Sequence, residues 1–478
     1  MKRTVRSAAT LVLVLPLSGC SEVVQPQESP TTGSPAILKS CTVDGVTNPT
    51  LCGWYDVPEN RADPTGRMVR LRIVVAKALD AEPAPDPIVY FEGGPGGSSI
   101  SVAPFLTNEM PGARVQRDMV FIDQRGTGDS GKLTCNSALP SGEASLFGTL
   151  FPPDHVLACA TRLSGLADLA QYTTPIAADD MAEVLRALGY ERVNVFGTSY
   201  GTRLALVFAR RHPDMTRSVS VNGVAPPERI AYLEGSESVQ SALEWSFGGC
   251  EADPTCAAAY PNLRTDFASL VARFDSGPVN TDVTLSDGST ANVMFAHADF
   301  AYAVRGMFYR TLADSLAPWT SRAVSTGGWA GFADYYVQRS KWVAGTFATG
   351  MHLSVWCAED VPFATEAVMA SYDNGALLGS SLIRRYRDAC ALWSTEPVPA
   401  DYKQPVTIDL PVFIVSGERD PVTPATWGEA LAAGLPNAVH ITVPDAGHVP
   451  FGSCINSIQE AFWNSADPQG LSTSCMGG

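Results

Sequence analysis

The chain has 478 residues, 45% hydrophobic and 17% charged, a balance that supplies a buried core and excludes both a disordered chain and a multi-span membrane protein. The length suits one main core carrying one large insertion. A formal charge of -16 repels phosphate backbones and anionic headgroups and so excludes nucleic acid as a partner.

The first predicted element is a targeting segment. Lys2, Arg3 and Arg6 precede an apolar stretch from Ala8 to Leu17 that is too short to span a bilayer, so residues 1–19 read as an export signal. The stretch ends in Leu17-Ser18-Gly19-Cys20, which resembles the bacterial lipobox, where the Cys thiol is diacylated and becomes the new N-terminus. Cys20 is therefore the expected lipid anchor and the expected sole tie to a membrane, holding an exported protein in the cell envelope on its periplasmic or extracellular face. Residues 20–36, rich in Ser, Thr, Pro and Gln, read as a flexible tether. Of the 11 cysteines, ten remain once Cys20 is lipidated, an even number in a compartment that permits disulfides. Pairing sequential neighbours gives Cys41 with Cys52, Cys135 with Cys159, Cys250 with Cys256, Cys357 with Cys390, and Cys454 with Cys475. No C-x-x-C spacing and no nearby His cluster suggest zinc, so no metal is expected.

Residues 37–224 carry strand-then-turn units: Met68 to Lys77; Pro87 to Phe91, followed by Gly93-Gly94-Pro95-Gly96-Gly97; Asp118 to Asp123; and Arg192 to Phe196. Ala178 to Leu188 has helical spacing and stops at Gly189, and a helix-like run follows from Thr202 to Arg210. Arg217 to Val221 is a further strand. Strands alternating with helices predict an α/β protein, a mostly parallel sheet covered on both faces. The pattern changes over residues 225–400, an aromatic-rich and mainly helical stretch that reads as an inserted cap; of Trp245, Trp319, Trp329, Tyr335, Tyr336 and Trp342 within it, most read as packing residues rather than ligand contacts. Sheet character returns within 401–478, at Pro411 to Ser416 and Val439 to Val443, with a helix from Ala425 to Ala433 between them.

The chemistry centres on Gly197-Thr198-Ser199-Tyr200-Gly201, placed where a strand meets a helix. A serine hydroxyl is a weak nucleophile until a base takes its proton, and it must project from a turn whose neighbours are small. That makes Ser199 the expected nucleophile. The base should follow the last strand and the orienting carboxylate the strand before it. His448, in Pro444-Asp445-Ala446-Gly447-His448, fits the first; Asp420, after Gly417-Glu418-Arg419, fits the second, with Glu418 and Asp445 as rivals. His440 lies inside a strand and reads as structural, and the other histidines precede the acid. An oxyanion needs two backbone N–H donors, for which Tyr200 and Gly94, with Gly93 beside it, are the candidates.

These motifs, together with Asp123-Gln124-Arg125-Gly126-Thr127-Gly128-Asp129-Ser130 and Gly417-Glu418-Arg419-Asp420-Pro421-Val422-Thr423-Pro424, resemble the prolyl iminopeptidase and tripeptidyl aminopeptidase family of α/β-hydrolase serine peptidases, from about Cys41 to Cys475. Glu92 departs from the His that usually precedes Gly-Gly-Pro-Gly in prolyl iminopeptidases, which favours the tripeptidyl branch. The resemblance implies the α/β-hydrolase fold, no cofactor, and short peptides with a free N-terminus as partners. A free α-ammonium calls for carboxylates, commonly from the cap in this family. Glu359 and Asp360, near Cys357, are the candidates, with Glu234, Glu237 and Glu244 as alternatives; the competing reading of each is a solvated surface charge. Other readings are a carboxylester hydrolase on small acyl esters and a binding lipoprotein without catalysis. Gly126 to Gly131 also satisfies GxGxxG, but Leu133 stands where a magnesium-binding hydroxyl belongs and Asp129 would face phosphate, so no nucleotide is expected. Asp123 and Arg125 are expected to bond locally behind the oxyanion loop.

Overall fold

The computed structural model describes residues 38–135, 141–309 and 313–476; the expected export signal, Cys20 and the tether lie outside the described residues. The strands in chain order are β1 (Lys39–Cys41), β2 (Thr50–Pro58), β3 (Met68–Ala76), β4 (Ile88–Phe91), β5 (Met119–Ile122), β6 (Val193–Thr198), β7 (Thr216–Asn222), β8 (Val279–Thr284), β9 (Thr290–Phe295), β10 (Val412–Gly417) and β11 (Ala438–Val443). Nine of them form one sheet in the order β1-β2-β3-β5-β4-β6-β7-β10-β11, and β8-β9 form a separate hairpin. From β5 to β11 every neighbouring pair is parallel, while β1, β2 and β3 are added antiparallel.

The parallel strands are short apolar runs because both faces are covered. Ile-Val-Tyr-Phe of β4 and Met-Val-Phe-Ile of β5 are buried at every position. One face packs against the helices Thr174–Ala187 and Tyr200–Arg211; the other takes Phe462 and Trp463 of the helix Ser453–Ser465. Parallel register aligns the C-terminal strand ends, with Phe91 opposite Gly197, Thr198 opposite Asn222 and Gly417 opposite Val443. The loops leaving β4, β6, β10 and β11 therefore emerge along one edge, where ligands bind in open α/β sheets.

Between β7 and β10 the chain is mainly helical, with the β8-β9 hairpin as an element outside the helical expectation. Its burial alternates strictly along Val-Asn-Thr-Asp-Val-Thr, the period-2 pattern of a half-buried strand. Trp329 and Tyr336 are buried as packing residues, whereas Trp245 and Trp342 are exposed. The helix expected from Ala178 begins at Thr174, because Pro175 falls in the first turn, where its missing N–H costs nothing.

All five sequential disulfides are present. Cys357–Cys390 closes 33 residues and Cys250–Cys256 closes 6. Loop-closure entropy puts the stabilisation at about 4 kcal/mol for the first and about 2 kcal/mol for the second. Urea unfolding of the two double Cys→Ser variants is expected to show the larger loss for the 357/390 pair; a larger loss for 250/256 would contradict the entropic ranking.

Candidate active site

Ser199 sits between β6 and the helix Tyr200–Arg211 with φ 53° and ψ −128°, a left-handed conformation costly for a non-glycine residue. The turn is this tight because its flanks have no side chains. A Cβ on Gly201 would overlap the Phe91 carbonyl, and one on Gly197 would overlap the Gly201 carbonyl. The Ser199 N–H donates to the Asn222 carbonyl of β7 at 3.0 Å, which fixes the turn to the neighbouring strand.

His448 Nε2 lies 2.9 Å from Ser199 Oγ, and Nδ1 lies 2.7 Å from Asp420 Oδ2. Asp420 Oδ1 accepts the N–H groups of Val422 and Thr423 at 2.8 and 2.9 Å, and Oδ2 accepts the Thr423 hydroxyl at 2.7 Å. Burial pushes the Asp420 carboxyl up, but the His448 charge and these donors outweigh it and hold it below the usual carboxylate range. The rivals are accounted for elsewhere: Asp445 pairs with Arg419, and Glu418 accepts the Asp445 N–H. His440 bonds Ser416 of the adjacent strand. An ionised acid, an imidazole held in one tautomer and a hydroxyl in line can together move the Ser199 proton during attack on a carbonyl.

The oxyanion loop wraps over the nucleophile. A Cβ on Gly93 would lie 2.9 Å from the Ser199 Cβ, and Gly94 has φ 119° with Phe347 close above it. The Gly94 and Tyr200 N–H groups have no backbone acceptor among the described residues, as donors reserved for an oxyanion require. Asp123 supports the loop as expected, accepting from the Ser98 hydroxyl at 2.7 Å and from the N–H groups of Ile100 and Asp129. Arg125 does not act locally. It reaches Asp180 of the helix Thr174–Ala187 and the carbonyls of Pro58, Glu59 and Gln171.

Glu359 and Asp360 require a correction. Both are 0% exposed beneath the helix that follows Ser199. Glu359 accepts the Thr174 N–H and hydroxyl and the Tyr402 hydroxyl at 2.6, 2.9 and 2.5 Å, and Thr174 also bonds the Tyr200 hydroxyl. Asp360 takes Arg203 and Lys403, each at 2.8 Å, and the Ala231 N–H. Carboxylates so engaged have no oxygen left for an incoming ammonium; they brace the nucleophile helix. Among the alternatives, Glu234 is tied to Arg229 and the Ile230 N–H and Glu244 to Arg264, while Glu237 is exposed.

Two residues at the site carried no motif. The Tyr309 ring lies 4.9 Å from the His448 ring. His352 donates from Nδ1 to the Pro95 carbonyl at 2.9 Å and accepts at Nε2 from the hydroxyl of Tyr386 and the indole of Trp356, anchoring the oxyanion loop. Burial lowers its pKa to about 4. Among the described residues no three His, Cys, Asp or Glu side chains group so as to hold a metal ion.

The profile of the α/β-hydrolase fold family matches residues 86–453. The chain belongs to the α/β-hydrolase family. This α/β hydrolase is 28% identical to tripeptidyl aminopeptidase of Streptomyces lividans over 208 residues, which are 40% of this chain and 38% of that enzyme. The tripeptidyl aminopeptidase of Streptomyces coelicolor is 27% identical over the same shares. The chain thus spans about two fifths of the length of these relatives. Serine protease Hip1 of Mycobacterium tuberculosis is 23% identical over 95% of this chain and 94% of that protein.

His352 sets a pH dependence for this hydrolase. Its folded-state pKa is depressed from 6.5 to about 4, so between those values the unfolded chain binds a proton that the folded chain refuses. Stability therefore falls as pH drops through that window, by up to about 3 kcal/mol. Urea unfolding at about pH 7 and about pH 4.5 is expected to show a loss about 2 kcal/mol smaller in His352→Gln than in wild type; equal losses would remove His352 from the account.

Proposed function

We propose that this α/β hydrolase is an exported serine exopeptidase that removes short peptides from free N-termini. The observation that carries the catalytic half is the Asp420–His448–Ser199 hydrogen-bond chain beneath two unused N–H donors. Ser199 Oγ attacks the scissile carbonyl while His448 Nε2 takes its proton, and the Gly94 and Tyr200 N–H groups stabilise the oxyanion. His448 then protonates the leaving amine, the acyl–Ser199 ester remains, and water activated by the same imidazole releases the product. The peptide half is supported by the relatives, two of them named tripeptidyl aminopeptidase and a third serine protease.

A free N-terminus needs a carboxylate, and with Glu359 and Asp360 committed elsewhere the role passes to Glu92. It directly precedes the oxyanion loop, accepts the Tyr90 phenol, and acts electrostatically on Tyr309 over His448. The departure from His at this position thus becomes a specificity device in this reading. Export and lipid anchoring at Cys20 are the part of this reading supported by the basic and apolar N-terminal stretch and its resemblance to a lipobox.

Chromogenic peptides of one to three residues, with free and acetylated N-termini, test the proposal. Free-amine substrates are expected to react faster, Ser199→Ala to lose about 10⁴-fold or more in kcat, and Glu92→Gln to raise KM about tenfold on free-amine substrates alone. Equal rates on both N-terminal forms, with faster turnover of simple esters, would favour an esterase instead. Cys20→Ser is expected to move the protein from the membrane to the soluble fraction of the envelope; retention on the membrane would contradict the anchor.

A further inference from the structure

Six arginines of the described residues are nine-tenths or more buried: Arg114, Arg117, Arg125, Arg203, Arg305 and Arg385. A buried guanidinium is costly unless paired, and five of the six obey. Arg117 pairs with Asp86, Arg125 with Asp180, Arg203 with Asp360 and Arg385 with Asp299, while Arg114 donates to the carbonyls of Lys77 and Pro49. Arg305, 8% exposed, has no hydrogen bond or ion pair to any described residue; its guanidinium lies 5.5 Å from the centre of the Tyr232 ring.

Arg305 also stands where a ligand would be. It occupies the helix His297–Tyr309 one turn before Tyr309, and positions four apart share a helix face. Tyr309 lies on the His448 ring, and Tyr232 stacks at 4.6 Å on Tyr386, whose hydroxyl bonds the His352 that holds the oxyanion loop. The cation therefore sits on an aromatic wall running from the catalytic imidazole to the oxyanion loop. A second guanidinium, that of Arg339, lies 4.4 Å from the centres of both the Tyr309 and Trp342 rings, and it too has no carboxylate partner among the described residues. Burial pushes the Tyr309 phenol up, and the charges of Arg339 and Arg305 act against that more strongly than those of Asp420 and Glu92 act with it.

We propose that Arg305 and Arg339 bind a carboxylate of the substrate beside the bond that Ser199 attacks. In a chain of net charge -16, two guanidiniums without ion-pair partners among the described residues, gathered around the Tyr309 that lies on the His448 ring, are a recognition element for an anion. The carboxylate comes either from an acidic side chain flanking the scissile bond or from the C-terminus of a short substrate. The inference rests on the serine hydrolase reading of the site and adds to it two residues, Arg305 and Arg339, that the proposed catalytic steps do not use.

The test measures kcat/KM by mass spectrometry for unlabelled tetrapeptides in two matched pairs: Glu against Gln beside the scissile bond, and free acid against amide at the C-terminus. Wild type is expected to favour the carboxylate member of one pair by about tenfold to a hundredfold, chiefly through KM. A Glu preference identifies the side chain and a free-acid preference the terminus. Arg305→Gln and Arg339→Gln are each expected to reduce that ratio, with Arg305→Lys restoring part of it. Wild-type ratios near one in both pairs, or an unchanged ratio in the folded Arg305→Gln variant, would overturn the proposal. Neutral-substrate turnover that is lost in Ser199→Ala keeps the hydrolase reading standing in that case, so the two fail separately.

Discussion

The site depends on a steric constraint: the absence of side chains at Gly197 and Gly201. Between β6 and its helix the backbone must turn within one residue, and the carbonyls of Phe91 and Gly201 occupy the space where two Cβ atoms would go. Only that clearance lets the helix start directly behind Ser199 and leaves the serine in a left-handed conformation with its hydroxyl toward His448. The strain is local and is held by the parallel sheet, through the Asn222 carbonyl on one side and Phe91 on the other. Gly93 completes the arrangement by letting the oxyanion loop touch the nucleophile.

A second layer keeps the turn rigid. Arg203, on the nucleophile helix, is clamped by Asp360, which also holds Lys403, while Glu359 holds Thr174 and through it the Tyr200 phenol. These carboxylates come from the end of the helix Thr349–Glu359 and the residue that follows it, and the same helix supplies His352 to the Pro95 carbonyl. One helix of the segment between β7 and β10 thus braces the nucleophile from below and the oxyanion loop from the side. The same segment carries Tyr309 onto the His448 ring and Arg339 onto Tyr309, so it is packed onto the elements that position Ser199.

Much of this was legible in the sequence because the physics is local. A strand, a glycine-flanked serine and a helix-like run between Arg192 and Arg210 announce a tight turn, and the acid and base follow the last two parallel strands in order. The sequential disulfides were legible for the same reason, each closing a short loop. Glu359 and Asp360 were misread because a charged pair near a cysteine looks the same whether it faces water or a buried arginine. The decision lay with Arg203 and Lys403, about 157 and 43 residues away from Asp360. Tyr309, His352 and Arg305 were invisible for a related reason. Their roles come from tertiary contacts with His448, Pro95 and Tyr232, and no spacing along the chain encodes those.

The central claim is that Ser199 is activated by His448 and Asp420 as one unit. Active-site labelling with an alkyl fluorophosphonate, followed by peptide mapping, tests it directly. The account predicts a single adduct on Ser199, formed by wild type and strongly slowed in Asp420→Asn, where the imidazole loses its ionised partner. An adduct on another residue, or labelling of Ser199 at the same rate in Asp420→Asn, would contradict it.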